Sequence, residues 1–245
     1  IIGSDRLTDI GLLKISASNL VPISMGNSES IKVGDLAVAI GHPLTLGAAP
    51  TVTTGVVSAL ERRLDVGSEN MNSGVTLFGL IQTDAPITRG SSGGALLNSN
   101  GELIGITTAI ATADVGAEGL GFAVPVNLAL GIADDLLKDG QILHAFLGIL
   151  GAQHFDVAND GARIFSGVII QELYGPNNEL FAIGKAGAVP GDIIKKINGD
   201  NVKTLDGLIT VLREKRAGDI VEIEILRNSQ MITLVFELDL RPSDV

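Results

Sequence analysis

The stretch Thr83-Asp84-Ala85-Pro86-Ile87-Thr88-Arg89-Gly90-Ser91-Ser92-Gly93-Gly94-Ala95 holds the residues best suited to covalent chemistry. A serine that attacks a carbonyl must project its hydroxyl from a tight, open turn. Backbone N–H groups must converge beside it where the tetrahedral oxyanion forms. Glycines on both sides of Ser92 permit such a turn, because no Cβ obstructs the backbone. The spacing makes the Gly90 N–H one oxyanion donor and the N–H of Ser92 the other. An ordinary Ser/Gly turn between strands has the same local composition, so the segment points to acyl transfer only together with its surroundings.

Other chemistries are poorly provided for. The chain has 3 His and no Cys, which excludes thiol nucleophiles, disulfides and zinc–thiolate sites. No metal and no cofactor is expected: the histidines are dispersed, and Gly-x-x-x-x-Gly-Lys does not occur. Lys plus Arg number 17 against 28 Asp plus Glu, a net charge of -11, which argues against a nucleic-acid partner. No apolar run is long enough for a membrane span in this segment.

A chain of 245 residues with 45% hydrophobic content suffices for one large or two modest cores. Up to about Val124 the apolar segments are short and punctuated: Ile10–Ile15, Leu36–Ile40, Val52–Leu60, Leu77–Ile81, Ala95–Asn98, Leu103–Ile110 and Leu120–Val124. Short strands without intervening helical patterns predict an antiparallel barrel or sandwich. The first helical period falls at Asn127–Lys138, with Asn127 as its expected cap and Gly140 past its end. The last hundred residues read as a small α+β module. Asn198-Gly199 marks a hairpin, Thr204 caps a helix carrying Leu205, Leu208, Ile209 and Leu212, and Ile220–Leu226 with Met231–Leu238 forms a second hairpin. The expected domains are residues 1–140 and 141–240.

Residues 83–98, followed by Gly101-Glu102-Leu103-Ile104-Gly105-Ile106, resemble the nucleophile segment of HtrA/Deg serine proteases. Gly119-Leu120-Gly121-Phe122-Ala123-Val124-Pro125 is similar to that family's substrate-lining strand. Gly3-Ser4-Asp5-Arg6-Leu7-Thr8-Asp9-Ile10-Gly11-Leu12-Leu13-Lys14 resembles the segment with the triad aspartate. The resemblance implies a mainly β, chymotrypsin-like double barrel, its first barrel incomplete here, followed by an α+β PDZ domain. It implies Ser92 as nucleophile, Asp9 as the residue orienting a histidine, and Gly90 and Ser92 as oxyanion donors. It also places Ile87 and Leu120 in an S1 pocket for small or medium aliphatic residues, and Gly121 and Phe122 on the substrate strand. Ser91 stands where the family commonly has Asn.

The family runs His, Asp, Ser along the chain, so the triad histidine is expected upstream of Ile1, and this polypeptide alone is expected not to cleave protein. Asp9, His42 and Ser92 follow the subtilisin order, but subtilisin chemistry needs a parallel α/β sheet and no βαβ unit is legible around them. His144 and His154 read as surface or groove residues.

Phe146-Leu147-Gly148-Ile149 resembles the carboxylate-binding loop of PDZ domains. Successive N–H groups there would cradle a terminal carboxylate, and Ile149–Gln153 would accept the peptide as an added strand. Leu208 and Leu212 are the expected pocket residues on the helix. The family implies an ATP-independent endopeptidase of extracytoplasmic protein quality control, acting on unfolded proteins as a homotrimer or larger assembly. The competing expectation is an inactive chaperone-like or peptide-binding scaffold on the same fold.

Overall fold

The structure, a computed structural model, describes residues 1–42, 49–66, 75–88, 90–110, 120–175 and 179–242. The chain divides into two compact units, Ile1–Ile142 and Leu143–Val245.

In the first unit β1 (Gly3–Asp5) and β2 (Ile10–Leu12) form an antiparallel ribbon. Their connection is fastened by the Thr8 hydroxyl, which donates to the buried Asp5 carboxylate at 2.6 Å. Six further strands close into an antiparallel barrel: β3 (Leu36–Gly41), β4 (Thr51–Val66), β5 (Val75–Thr83), β6 (Ala95–Leu97), β7 (Leu103–Ile110) and β8 (Gly121–Pro125). Their order around the barrel is β3-β4-β5-β8-β7-β6. Closure leaves no unpaired sheet edge over the paired lengths, which is how an all-β unit avoids edge-to-edge association.

Strand alternation explains why β5 and β8 read as nearly continuous apolar runs. Ile81 and Ala123 point into the barrel with Ala39, Val57, Leu96 and Ile104. Their neighbours Leu80 and Phe122 point outward and are covered by Ile132 and Leu136 of α1 (Val126–Asp139). Both faces are therefore buried, and no polar alternation survives in the sequence. The expected helix is present and Gly140 ends it in the left-handed region at φ 70°. The expected cap is not Asn127. Pro125 occupies the cap position, and the Asn127 side chain instead accepts from the Ser28 N–H at 3.2 Å and donates to Asn27 at 2.8 Å. β4 is also much longer than the nine residues read as apolar. Its outer half pairs with β5 through three register shifts, with Glu61 at φ 55°.

The second unit comprises β9 (Ala145–Phe146), β10 (Ile149–Val157), β11 (Arg163–Leu173), α2 (Ala182–Lys185), β12 (Ile193–Ile197), β13 (Asp200–Asn201), α3 (Leu205–Arg213), β14 (Ile220–Arg227), β15 (Gln230–Glu237) and β16 (Asp239–Leu240). The main sheet runs β10-β11-β12-β14-β15, with β13 on β12, and β16 pairs with β9. Asn198 and Gly199 both take positive φ in the β12–β13 turn, as a two-residue hairpin turn with the favoured twist requires. Thr204 caps α3, its hydroxyl accepting from the Gly207 N–H at 3.0 Å. The core gathers Val168, Ile170, Ile194, Ile197, Ile223 and Ile225, all fully buried. At its margin Asp192, wholly buried, receives Arg227 through two contacts of 2.6 and 2.7 Å and the Val189 N–H at 2.8 Å.

Candidate active site

The nucleophile turn connects the end of β5 to the start of β6. Gly90 and Gly93 adopt φ 94° and 82°, conformations that an L side chain resists. Gly94 makes the close approach: a Cβ there would strike the Ile40 carbonyl oxygen and lie 2.8 Å from that of Ser91. The turn is held by Ser91 N–H to Thr88 O at 3.0 Å and Gly94 N–H to Ser91 O at 3.0 Å. Ser91 is buried against Gly41, where a Cβ would fall 2.5 Å from the Ser91 Cβ, whereas Ser92 is exposed. Two adjacent serines thus face opposite ways, one inward as support and the other outward with its hydroxyl available. Among the described residues, neither the Gly90 nor the Ser92 N–H donates to a protein acceptor.

Strand β7 ties this turn to the aspartate. Thr107 donates its N–H to Gly94 O at 3.0 Å, accepts the Gly93 N–H at 2.6 Å, and donates its hydroxyl to Ser91 O at 2.5 Å. The next residue, Thr108, donates its hydroxyl to the Asp9 carboxylate. Asp9 sits at φ 60° in the turn before β2, with its side chain exposed. Consecutive residues of one strand therefore hold the serine turn and the carboxylate, so their spacing is set by a rigid element. Neither threonine was identifiable from sequence. The only signal is the polar pair Thr107-Thr108 inside an otherwise apolar strand.

Ile87 is buried and lies over Gly121, where a Cβ would come within 2.6 Å of its Cδ1. Leu120, the residue before Gly121, is half-buried and packs against the cluster containing Phe122. The expectation that Gly121 and Phe122 form the substrate strand needs correction. β8 lies inside the closed barrel, with Gly121 and Phe122 paired to Thr83 and Gln82 on β5, and Gly121 also paired to Ile110 on β7. Phe122 is itself buried beneath α1. The free edge belongs to β7: its pairing with β6 ends at Ile106, so residues 108–110 have no strand on that side among the described residues.

Of the histidines, His42 is exposed just after β3 and, among the described residues, contacts neither Asp9 nor Ser92. His144 and His154 belong to the second unit, where His144 bridges Arg216 and His154 Nδ1 lies 2.8 Å from the Ser166 hydroxyl.

In that unit Gly148 takes φ 71° beneath the Phe181 ring, whose Cγ would be 2.7 Å from a Cβ at 148. Phe181 in turn meets Phe146 edge-to-face at 5.2 Å. The Gly148 carbonyl accepts the Tyr174 N–H at 2.8 Å, while the Leu147 and Gly148 N–H groups have no partner among the described residues. β10 is an edge strand, so the side of Ile149 away from β11 is open. Gln153 fixes the start of α3 beside it, accepting the Leu205 N–H at 3.1 Å and donating to Lys203 O at 2.9 Å and Gly167 O at 3.0 Å. Leu212 is half-buried on the core, but Leu208 is 1% exposed and belongs to the core itself. The helix residue beside β10 is Leu205, whose Cδ1 would be 3.4 Å from a Cβ at Gly151.

Comparison with known proteins agrees with both units. Residues 1–106 match the trypsin-like peptidase domain and residues 148–238 the PDZ domain. The periplasmic pH-dependent serine endoprotease DegQ of Escherichia coli (strain K12) is 40% identical over 248 residues, covering 98% of this chain and 50% of DegQ. The serine protease Do-like HtrA of Bacillus subtilis (strain 168) is 34% identical, covering 98% of this chain and 54% of its own length. The chain thus spans about half the length of the curated relatives it matches. A solved structure of the HtrA-type protease AlgW with a tripeptide superposes with a TM-score of 0.71 at 33% identity, over 98% of this chain and 76% of AlgW. A polypeptide that joins this serine turn and barrel to a PDZ unit, and aligns with such proteases along nearly its whole length, belongs to the HtrA family of serine proteases.

Proposed function

We propose that this chain carries the serine and aspartate of an ATP-independent endopeptidase that degrades unfolded proteins outside the cytoplasm, with its PDZ unit capturing peptides. The supporting observation is the β7 arrangement, in which Thr107 braces the Ser92 turn and Thr108 holds Asp9.

In this reading the Ser92 Oγ attacks the scissile carbonyl while an imidazole takes its proton. That imidazole comes from outside these 245 residues. Asp9 accepts the imidazole Nδ1–H, fixing its tautomer and stabilising the cation that forms. The Gly90 and Ser92 N–H groups bind the oxyanion, which is the largest electrostatic contribution to such reactions. The imidazolium then protonates the leaving amine, and water releases the acyl group from Ser92 by the same steps in reverse. The substrate pairs with the open edge of β7 at residues 108–110. Its P1 side chain sits beside Ile87 and Leu120, a setting for aliphatic residues that discriminates by about 1–3 kcal/mol per methylene and so gives loose specificity.

The unengaged N–H groups of Leu147 and Gly148 take a C-terminal carboxylate, and β10 takes the peptide as an additional strand. The domains are assigned as residues 1–140 and 141–240, and the working assembly as a homotrimer or larger. The test is casein digestion by a fusion that places the histidine-bearing barrel of an HtrA-type relative ahead of Ile1. Cleavage lost by on the order of 10⁶-fold in Ser92→Ala is expected. Cleavage that persists in Ser92→Ala would refute the reading.

A further inference from the structure

The β10–β11 hairpin continues well past the place where α3 covers it. Both register shifts insert their extra residue on β11, at Gln171 and Ser166, so β10 itself alternates without interruption from Ile149 to Val157. Gly151 and Gln153 face α3, as their contacts with Leu205 show. By alternation Phe155 and Val157 lie on the same face, beyond the start of the helix. Both stay partly open to solvent. Phe155, Val157 and Phe165 are 37%, 72% and 52% exposed, in a chain with only 7 Phe in all.

The patch is built. Phe155 and Phe165 are direct cross-strand partners with ring centroids 5.1 Å apart. The Arg163 guanidinium stands 5.7 Å above the Phe155 ring and has no carboxylate partner among the described residues. A cross-strand aromatic pair steadies a hairpin by itself. That role does not account for an unneutralised cation over the ring, or for a bare strand edge leading to it from Gly148.

We propose that this patch is a second subsite of the peptide groove, which reads a ligand far upstream of its C-terminus. The proposal rests on the reading of Gly148 and β10 as a carboxylate-anchored groove. A peptide whose carboxylate sits at Gly148 runs antiparallel to β10. With one-for-one pairing, its residue about six positions before the end lies opposite Phe155, and that about eight before lies opposite Val157. The subsite takes an aromatic side chain at the first position, against Phe155 and Phe165. It takes an acidic one at the second, within reach of Arg163. The ligand chemistry is thus an extended C-terminal peptide with an acidic residue two positions ahead of an aromatic one.

The experiment measures binding of two fluorescent peptides to the whole chain in a Ser92→Ala background. One is Ser-Ala-Leu-Val and the other Ala-Glu-Ser-Phe-Ser-Ala-Ser-Ala-Leu-Val. The decapeptide is expected to bind about tenfold tighter, as suits one more buried aromatic side chain and a charge pair. Phe155→Ala is expected to remove that gain without changing tetrapeptide affinity. Arg163→Glu is expected to reverse the preference between Glu and Lys at the second position. Equal affinity for the two peptides, or a gain that survives both substitutions, would overturn the subsite while leaving the groove intact. Failure of the tetrapeptide to bind would overturn the groove and the subsite together.

Discussion

Asp9 and Thr108 are 99 residues apart in sequence, and one hydroxyl joins them. If that bond fixes the carboxylate against the imidazole, Thr108→Val, which keeps the shape and removes the donor, should act on turnover. We expect kcat to fall about tenfold in the histidine-completed fusion, with KM nearly unchanged, as for a lost hydrogen bond to a charged group. A change confined to KM would mean that Thr108 only lines the substrate edge. Gly94 tests the turn directly. A methyl group there meets the Ile40 carbonyl, so Gly94→Ala should lower stability by about 1–3 kcal/mol in urea titration and abolish cleavage. Full activity in Gly94→Ala would show that the turn tolerates rearrangement.

At the scale of elements, local chemistry was legible and long-range partnership was not. Asn198-Gly199 announced its hairpin and Thr204 its helix, because a turn or cap is decided by a few adjacent residues. The Ser92 turn was legible for the same reason. Asn127 has the residue type of a cap, but its side chain meets Ser28 and Asn27, far off in sequence, in place of its own helix start. The resemblance places Gly121 and Phe122 on the substrate strand, whereas the pairing of β8 to both β5 and β7 and its cover by α1, which no linear string shows, put them inside the barrel. Thr107, Thr108 and Phe181 carry no signal in the sequence, because their importance lies wholly in what they touch, and Leu205 reads there only as one residue of an apolar helix face. Gln153 is the element-scale prediction, because its side chain joins β10, β11 and the start of α3. Gln153→Ala should destabilise the chain by about 1–3 kcal/mol and weaken tetrapeptide binding, measured by urea titration and fluorescence anisotropy. Unchanged peptide affinity would detach α3 from the binding site.

For the whole molecule, each unit has its own apolar centre, and the chemistry assigned to each depends on that centre staying rigid. Ile104 sits inside the barrel and Ile223 inside the second sheet, at 1% and 0% exposure. Truncating either to Ala should cost about 2–5 kcal/mol in urea titration. A smaller loss would show that the site around it collapses to fill the gap. The most direct test of the central assignment is labelling by a fluorophosphonate, which reacts only with an activated serine. Located by mass spectrometry, the label should appear on Ser92 in the histidine-completed fusion, vanish in Asp9→Asn, and be absent from the 245-residue chain alone. Rapid labelling of Ser92 in the chain alone, or an inert Ser92 in the folded fusion, would contradict the account.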